Sequence, residues 1–189
     1  MGASTSGFAL GILPGLRTYY FQKLARYLTP TEYRRVRTIR EKTDAQVTVP
    51  EMLFLRWGLR QCRPEAVVEI GSFAGASTSL MADMLRRLGR GHIYAIDLFS
   101  KPPSTSGHAK EYWKSFGASP RGPEYWKTFD LAMTQYAGWF DKIEGDSKVI
   151  SWDRPIDFLF IDGDHSYEGV AHDVAKYTPF IRGGVCLFT

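Results

Sequence analysis

Three carboxylates stand at or near the ends of short β-rich runs: Glu69 in Val67-Val68-Glu69-Ile70, Asp97 closing Ile93-Tyr94-Ala95-Ile96-Asp97, and Asp162 after Ile156 to Ile161. Open parallel sheets present their ligands beyond the carboxyl ends of their strands, so such acids are candidate contacts. Glu69 leads directly into Gly71-Ser72-Phe73-Ala74-Gly75-Ala76-Ser77-Thr78, which reads as a glycine turn running into a helix. Glycine lets a ligand approach the main chain, and a helix start offers unpaired amides. Gly71 and Gly75 are therefore expected to line a ligand.

Two ligand classes compete for that turn. The dinucleotide fingerprint GxGxxG lays a pyrophosphate on the helix end, but its second glycine position is Phe73 here, and a bulky side chain obstructs the phosphates. Glu69 points the same way, because a carboxylate repels phosphate and suits a cationic amino-acid end. Asp97, at the end of the second strand, reads as an acid for ribose hydroxyls, with a helix cap as its alternative. In Asp162-Gly163-Asp164-His165 two carboxylates and an imidazole converge beyond a strand end. A catalytic role for His165 competes with simple packing at a helix start capped by Asp164 or Ser166.

These residues need a sheet to hold them. From Ala66 onward β-rich runs alternate with helical ones: strands at Ala66 to Ile70, His92 to Asp97, Phe140 to Glu144, Ile156 to Asp162 and Val185 to Phe188, helices at Thr78 to Leu88, Tyr125 to Trp139 and Tyr167 to Phe180. The alternation predicts a parallel sheet over residues 64–189. Ahead of it, residues 1–63 read as a helical extension. Arg17 to Tyr27 has apolar residues at helical spacing, and Thr29-Pro30-Thr31-Glu32 and Thr48-Val49-Pro50-Glu51 both carry helix-start signatures. Residues 98–122 are too long for a plain connection, which leaves a lid over the site and a disordered stretch as the two readings.

Composition bounds the class. A chain of 189 residues with 44% hydrophobic content buries one core of ordinary size. The net charge of +4 gathers partly in Arg34, Arg35, Arg37, Arg40 and Lys42, a run with few interleaved aromatics, read as a solvated helix face and not a nucleic-acid surface. Cys62 and Cys186 lack the spacing of a disulfide framework or a zinc site. No apolar run reaches the roughly 20 residues of a membrane span, no signal peptide is evident, and Met1 to Ser6 reads as a polar start despite its formal match to a myristoylation pattern. A cytoplasmic protein is expected. His92, His108 and His172 attract no role.

The segment from Val67 to Phe188 resembles class I S-adenosylmethionine (SAM)-dependent methyltransferases, in particular the small-molecule O-methyltransferase-like branch. The resemblance rests on Glu69-Ile70-Gly71-Ser72-Phe73-Ala74-Gly75-Ala76-Ser77, on Asp97, on Gly145-Asp146-Ser147, and on the run from Phe160 through Asp162-Gly163-Asp164-His165 to Gly169. It implies a Rossmann-like three-layer α/β sheet that holds SAM. Glu69, Gly71 and Gly75 would take the methionine end, Asp97 the ribose and Asp146 the adenine, with a helix cap as the alternative for Asp146, while Ser72, Phe73, Ser77, Ser147 and Asp162 would also stand at the cofactor. In metal-dependent relatives an acid at the place of Asp162 ligates a divalent cation such as Mg2+, and the residue three positions on, a lysine in the family and His165 here, is the base.

The resemblance also implies two strands beyond the expected fifth one, within which this sequence ends. The chain therefore reads as C-terminally incomplete, with an apolar sheet edge inviting a homo-oligomer and with weak catalysis expected of the 189-residue form. The leading expectation is methyl transfer to an oxygen of a small-molecule substrate. A non-catalytic SAM-binding or interaction protein and, behind it, a nicotinamide-binding Rossmann protein are the alternatives.

Overall fold

The computed structural model describes residues 30–43, 47–99 and 125–188. Two helices come first, α1 (Pro30–Lys42) and α2 (Val49–Cys62). There follow β1 (Ala66–Ile70), α3 (Ala76–Leu88), β2 (His92–Asp97), α4 (Tyr125–Met133), β3 (Phe140–Glu144), β4 (Ile156–Ile161), α5 (Tyr167–Tyr177) and β5 (Ile181–Phe188). The expected helix at Arg17 to Tyr27 and nearly all of the 98–122 segment lie outside the described residues.

All strands are parallel, in the order β3-β2-β1-β4-β5. Chain order reverses between β1 and β4, which places the crevice of such a sheet at their carboxyl ends. Register sets its floor: Ile70 is level with Ile96 on one side and Ile161 on the other. The next residue of each strand, Gly71, Asp97 and Asp162, thus forms one row along the edge.

Side chains alternate across a strand, and both faces of this sheet are apolar. On one face Val67, Ile93, Ala95, Phe158 and Phe160 pack with residues of α1 to α4, including Val36, Met52, Leu59, Leu80, Leu85 and Phe129. On the other Val68, Ile70, Ile96, Leu159 and Ile161 meet Tyr177 and Val174 of α5. Glu69 follows the Val67 phase, which points its carboxyl at the face covered by α3.

The capping signature at Thr48 holds, with the Glu51 carboxylate accepting from the Thr48 amide at 2.6 Å. Two predicted helices end early. Residues 134–136 and 178–180 tighten into 3-10 turns, and β5 starts four residues ahead of its expected position.

The solvated reading of the arginine run holds at Arg34, Arg37 and Lys42, which are exposed, and needs correction at Arg35 and Arg40. Arg37 is exposed and pairs with Glu41, but Arg40 Nε donates to the Val47 carbonyl at 2.9 Å and Arg35 reaches Asp83 at 3.3 Å. Asp83 of α3 is buried and gathers four guanidinium groups: Arg35, Arg56 at 3.1 Å, Arg86 at 3.2 Å and Arg87 at 3.1 Å. Arg56, itself buried, also pairs with Glu32 of α1. A buried charge must be compensated by partners. This cluster ties α1 and α2 to α3.

Candidate functional site

The turn after β1 is built around Glu69, which is fully buried. Ser72 Oγ donates to Glu69 Oε2 at 2.9 Å, and Thr78 Oγ1 from the first turn of α3 donates to the same atom. Glu69 Oε1 is buried without a hydrogen-bond partner among the described residues. Burial pushes the carboxyl up to about 7, against the pull of the Ser77, Thr78 and Ser72 hydroxyls, and nearby Asp162 adds to the rise. Ser72 and Ser77, expected at the cofactor, are themselves buried and belong to this cluster under the turn. Thr78 was not anticipated as a member. Its place three residues beyond Gly75 is the signal that could have shown it.

The two glycines of the turn are required by close approach of protein to protein. Gly71 sits at φ +87°, and a Cβ there would lie 2.3 Å from the Asp162 carbonyl oxygen, where the turns after β1 and β4 cross. Gly75 sits at φ +83°, with Phe129 of α4 3.0 Å from its would-be Cβ. The Asp162 amide donates to the Ile70 carbonyl at 2.8 Å and the Gly71 amide to Ile96 at 2.9 Å. Both glycines stand in the turn after β1, and these protein contacts are an additional demand for glycine beside the expected approach of a ligand.

Asp97 is engaged on both oxygens. The amide of Phe73, a residue held at φ +45°, donates to Oδ2 at 2.8 Å. The Phe99 amide at 3.0 Å and the Tyr125 hydroxyl at 2.7 Å donate to Oδ1. The Tyr125 ring stacks on Phe73 with centroids 5.0 Å apart. Phe73 thus meets the acid through its backbone and Tyr125 through its ring. Nothing in the sequence marked Tyr125, which reads only as a helix start.

Asp146 and Ser147 follow β3. Asp146 Oδ1 accepts from the Lys148 amide at 2.9 Å, and its carbonyl accepts from Val149 and Ile150, so it caps a turn where the alternative reading expected a short helix. Ser147 Oγ donates to Asp173 Oδ1 at 2.7 Å, while its carbonyl takes Lys176 Nζ at 2.7 Å and the Tyr177 hydroxyl at 3.0 Å. Ser147 therefore fastens this turn to α5. Burial pushes the Asp173 carboxyl up.

Beyond β4, Asp162 is largely covered and His165 stands open, with Nε2 3.8 Å from Asp162 Oδ1. Asp164 is structural: it accepts from the Ser166 amide at 3.0 Å and from Lys148 Nζ at 3.1 Å. Burial would raise its carboxyl, but the Ser166 amide and hydroxyl and the Lys148 ammonium outweigh that and hold it below the usual aspartate value. Ser166 is the N-cap of α5, accepting from the Gly169 amide at 3.0 Å.

The divalent cation implied by resemblance finds little support. A hard dication takes six or more oxygen ligands, whereas the His165 imidazole lies 3.8 Å from Asp162 and Asp164 is committed to Lys148. Among the described residues no group of three or more His, Cys, Asp or Glu is placed to hold a metal. Nor is any helix among them long and apolar enough to cross a membrane.

The arrangement is a crevice with a buried acid beneath its turn, a hydrogen-bonding acid at the next strand end, and an acid and imidazole at the far side. Such a set suits a ligand with a cationic end and vicinal hydroxyls. Residues 68–189 match the family model described as a methyltransferase domain. A SAH-bound methyltransferase from Podospora anserina has the same fold, with a TM-score of 0.56 at 15% identity over 95% of this chain and 73% of its own. The O-methyltransferase NovP gives 0.57 at 15% identity, covering 87% of this chain and 79% of that one. The O-methyltransferase TomG of Streptomyces achromogenes, involved in tomaymycin synthesis and solved with SAM, gives 0.53 at 12% identity, covering 89% and 71%. No curated protein matches the sequence.

Proposed function

We propose, from the premise that this chain belongs to the methyltransferase domain family and is a SAM-dependent methyltransferase, that it methylates an oxygen of a small-molecule acceptor. The observation that carries the reading is the row of strand-end groups, Gly71, Asp97 and Asp162, set level by the register of β1, β2 and β4 with Glu69 buried beneath it.

SAM fits this row on its chemistry. Glu69, with one buried oxygen unpartnered among the described residues and its carboxyl pushed up to about 7, would ionise beneath the turn as the cationic methionine end docks there, because a neighbouring cation favours the charged form. Asp97 would accept from the ribose hydroxyls, and the Asp146 turn would border the adenine. When bound, SAM supplies an electrophilic methyl group on a sulfonium. The protein's part is to hold the acceptor oxygen in line with that methyl and to receive its proton.

His165 is the proposed base. It is exposed at the crevice, it is the side-chain type that exchanges protons near neutral pH, and Asp162 at 3.8 Å would stabilise the imidazolium formed. The donors near Asp162 do not make a cage for a hard dication, so no step is routed through one. NovP and TomG are named O-methyltransferases, and that lends oxygen its preference as acceptor. We extend the proposal to a 64–189 SAM-binding Rossmann-like unit preceded by a helical 1–63 extension.

The test is transfer of a labelled methyl group from SAM to a panel of phenols, catechols and sugars, with matched amines and thiols alongside. Label in hydroxylated acceptors, lost in His165→Ala while SAH binding survives, supports the assignment. Label in amines only would refute the oxygen acceptor.

A further inference from the structure

We propose that Tyr125 is a latch on the ribose acid: its hydroxyl holds the place on Asp97 that a ribose hydroxyl needs, and it withdraws when the cofactor binds. The inference rests on the reading of Asp97 as the ribose acid and goes beyond it.

The argument is one of acceptor capacity. A carboxylate has about four lone-pair sites, two on each oxygen. Oδ1 of Asp97 is filled by the Phe99 amide at 3.0 Å and the Tyr125 hydroxyl at 2.7 Å. Oδ2 carries the Phe73 amide at 2.8 Å and has one site left. A cis-diol gripping a carboxylate in bidentate fashion needs one free site on each oxygen, and here only Oδ2 offers one. Two of the three donors are backbone amides fixed in their turns. Tyr125 alone can leave by side-chain motion.

The latch is held firmly enough to matter. The ring stacks on Phe73 at 5.0 Å and lies parallel to Phe99 at 6.4 Å, which aims the hydroxyl at Oδ1. Burial, and then the facing Asp97 carboxylate, drive the phenol well above its ordinary value, so it stays a proton donor throughout the neutral range. A ligand that binds only the unlatched state loses apparent affinity in proportion to how rarely that state is populated.

The test is calorimetric titration of the full chain with SAH, for the parent, Tyr125→Phe, Asp97→Ala and the double variant. Tyr125→Phe keeps the stack and removes only the hydroxyl. It should bind SAH about tenfold more tightly, the size expected for one hydrogen bond to a charged group, and the gain should vanish when Asp97 is alanine. Thermal melts give a second readout: the variant should be less stable than the parent without ligand and equally stable when saturated, because the bond is absent from the bound state. Equal or weaker binding by Tyr125→Phe, or a gain that persists without Asp97, overturns the latch alone. If neither the parent nor Tyr125→Phe binds SAH, the cofactor reading falls and takes the latch with it.

Discussion

Replacing Glu69 by glutamine should change how stability depends on pH, by an amount that follows from the site. In the folded chain burial keeps the Glu69 carboxyl protonated up to about 7, whereas the ordinary value is 4.5. Between these limits the unfolded chain has released its proton and the folded chain has not. The unfolded state then binds fewer protons, so stability falls as pH rises from about 4.5 to about 7 and is level beyond. The interval is about 2.5 pH units at about 1.4 kcal/mol each, or about 3 kcal/mol in all. Glutamine has the same shape, accepts from Ser72 and Thr78 through its carbonyl, and has no proton to lose. Urea unfolding followed by tryptophan fluorescence should therefore find parent and Glu69→Gln nearly equal near pH 4.5. At pH 8 the variant should be more stable by up to about 3 kcal/mol, other titrations cancelling in the comparison. Parallel stability profiles across that range would refute the buried, protonated carboxyl.

Gly71→Ala should cost more than about 2 kcal/mol in a thermal melt, because the new Cβ meets a backbone oxygen at 2.3 Å and the residue sits at positive φ; an unchanged midpoint would contradict the crossing of the two turns. Asp83→Asn leaves buried Arg56 with Glu32 as its remaining carboxylate and should cost about 1–3 kcal/mol in urea unfolding, and an unchanged stability would show that the cluster does not anchor the leading helices. Asp164→Ala removes the acceptor for the Ser166 amide and should cost about 1 kcal/mol at neutral pH. Because that carboxyl is held below its ordinary value, its contribution is present above the aspartate range and lost as pH falls through the folded value, so parent and variant should converge in acid and diverge in neutral buffer.

The succession of strands and the place of the carboxyl ends of β1 to β4 were legible because both rest on local pattern. Each of β1, β2, β3 and β4 is a β-rich run bounded by turn residues, and an acid closing such a run falls at the crevice whatever the rest of the chain does. The partners of those acids were not legible, because they come from distant elements. Tyr125 reaches Asp97 across 28 positions and Arg35 reaches Asp83 across 48. Gly71 shows the limit most clearly: the sequence says that glycine stands in a turn, but only the fold brings the Asp162 carbonyl against it. Ser147 read as part of an adenine motif, and its hydroxyl is turned to Asp173 of α5, a residue with no motif of its own.

The central claim is that the crevice bounded by Gly71, Asp97 and Asp162 takes SAM, and calorimetric titration of the full chain with SAH and, in parallel, NADH tests it most directly. The account predicts one SAH per chain, weakened by roughly 1–3 kcal/mol in Asp97→Ala, and no heat from NADH. Binding of NADH in preference to SAH, or SAH binding indifferent to Asp97, would contradict it.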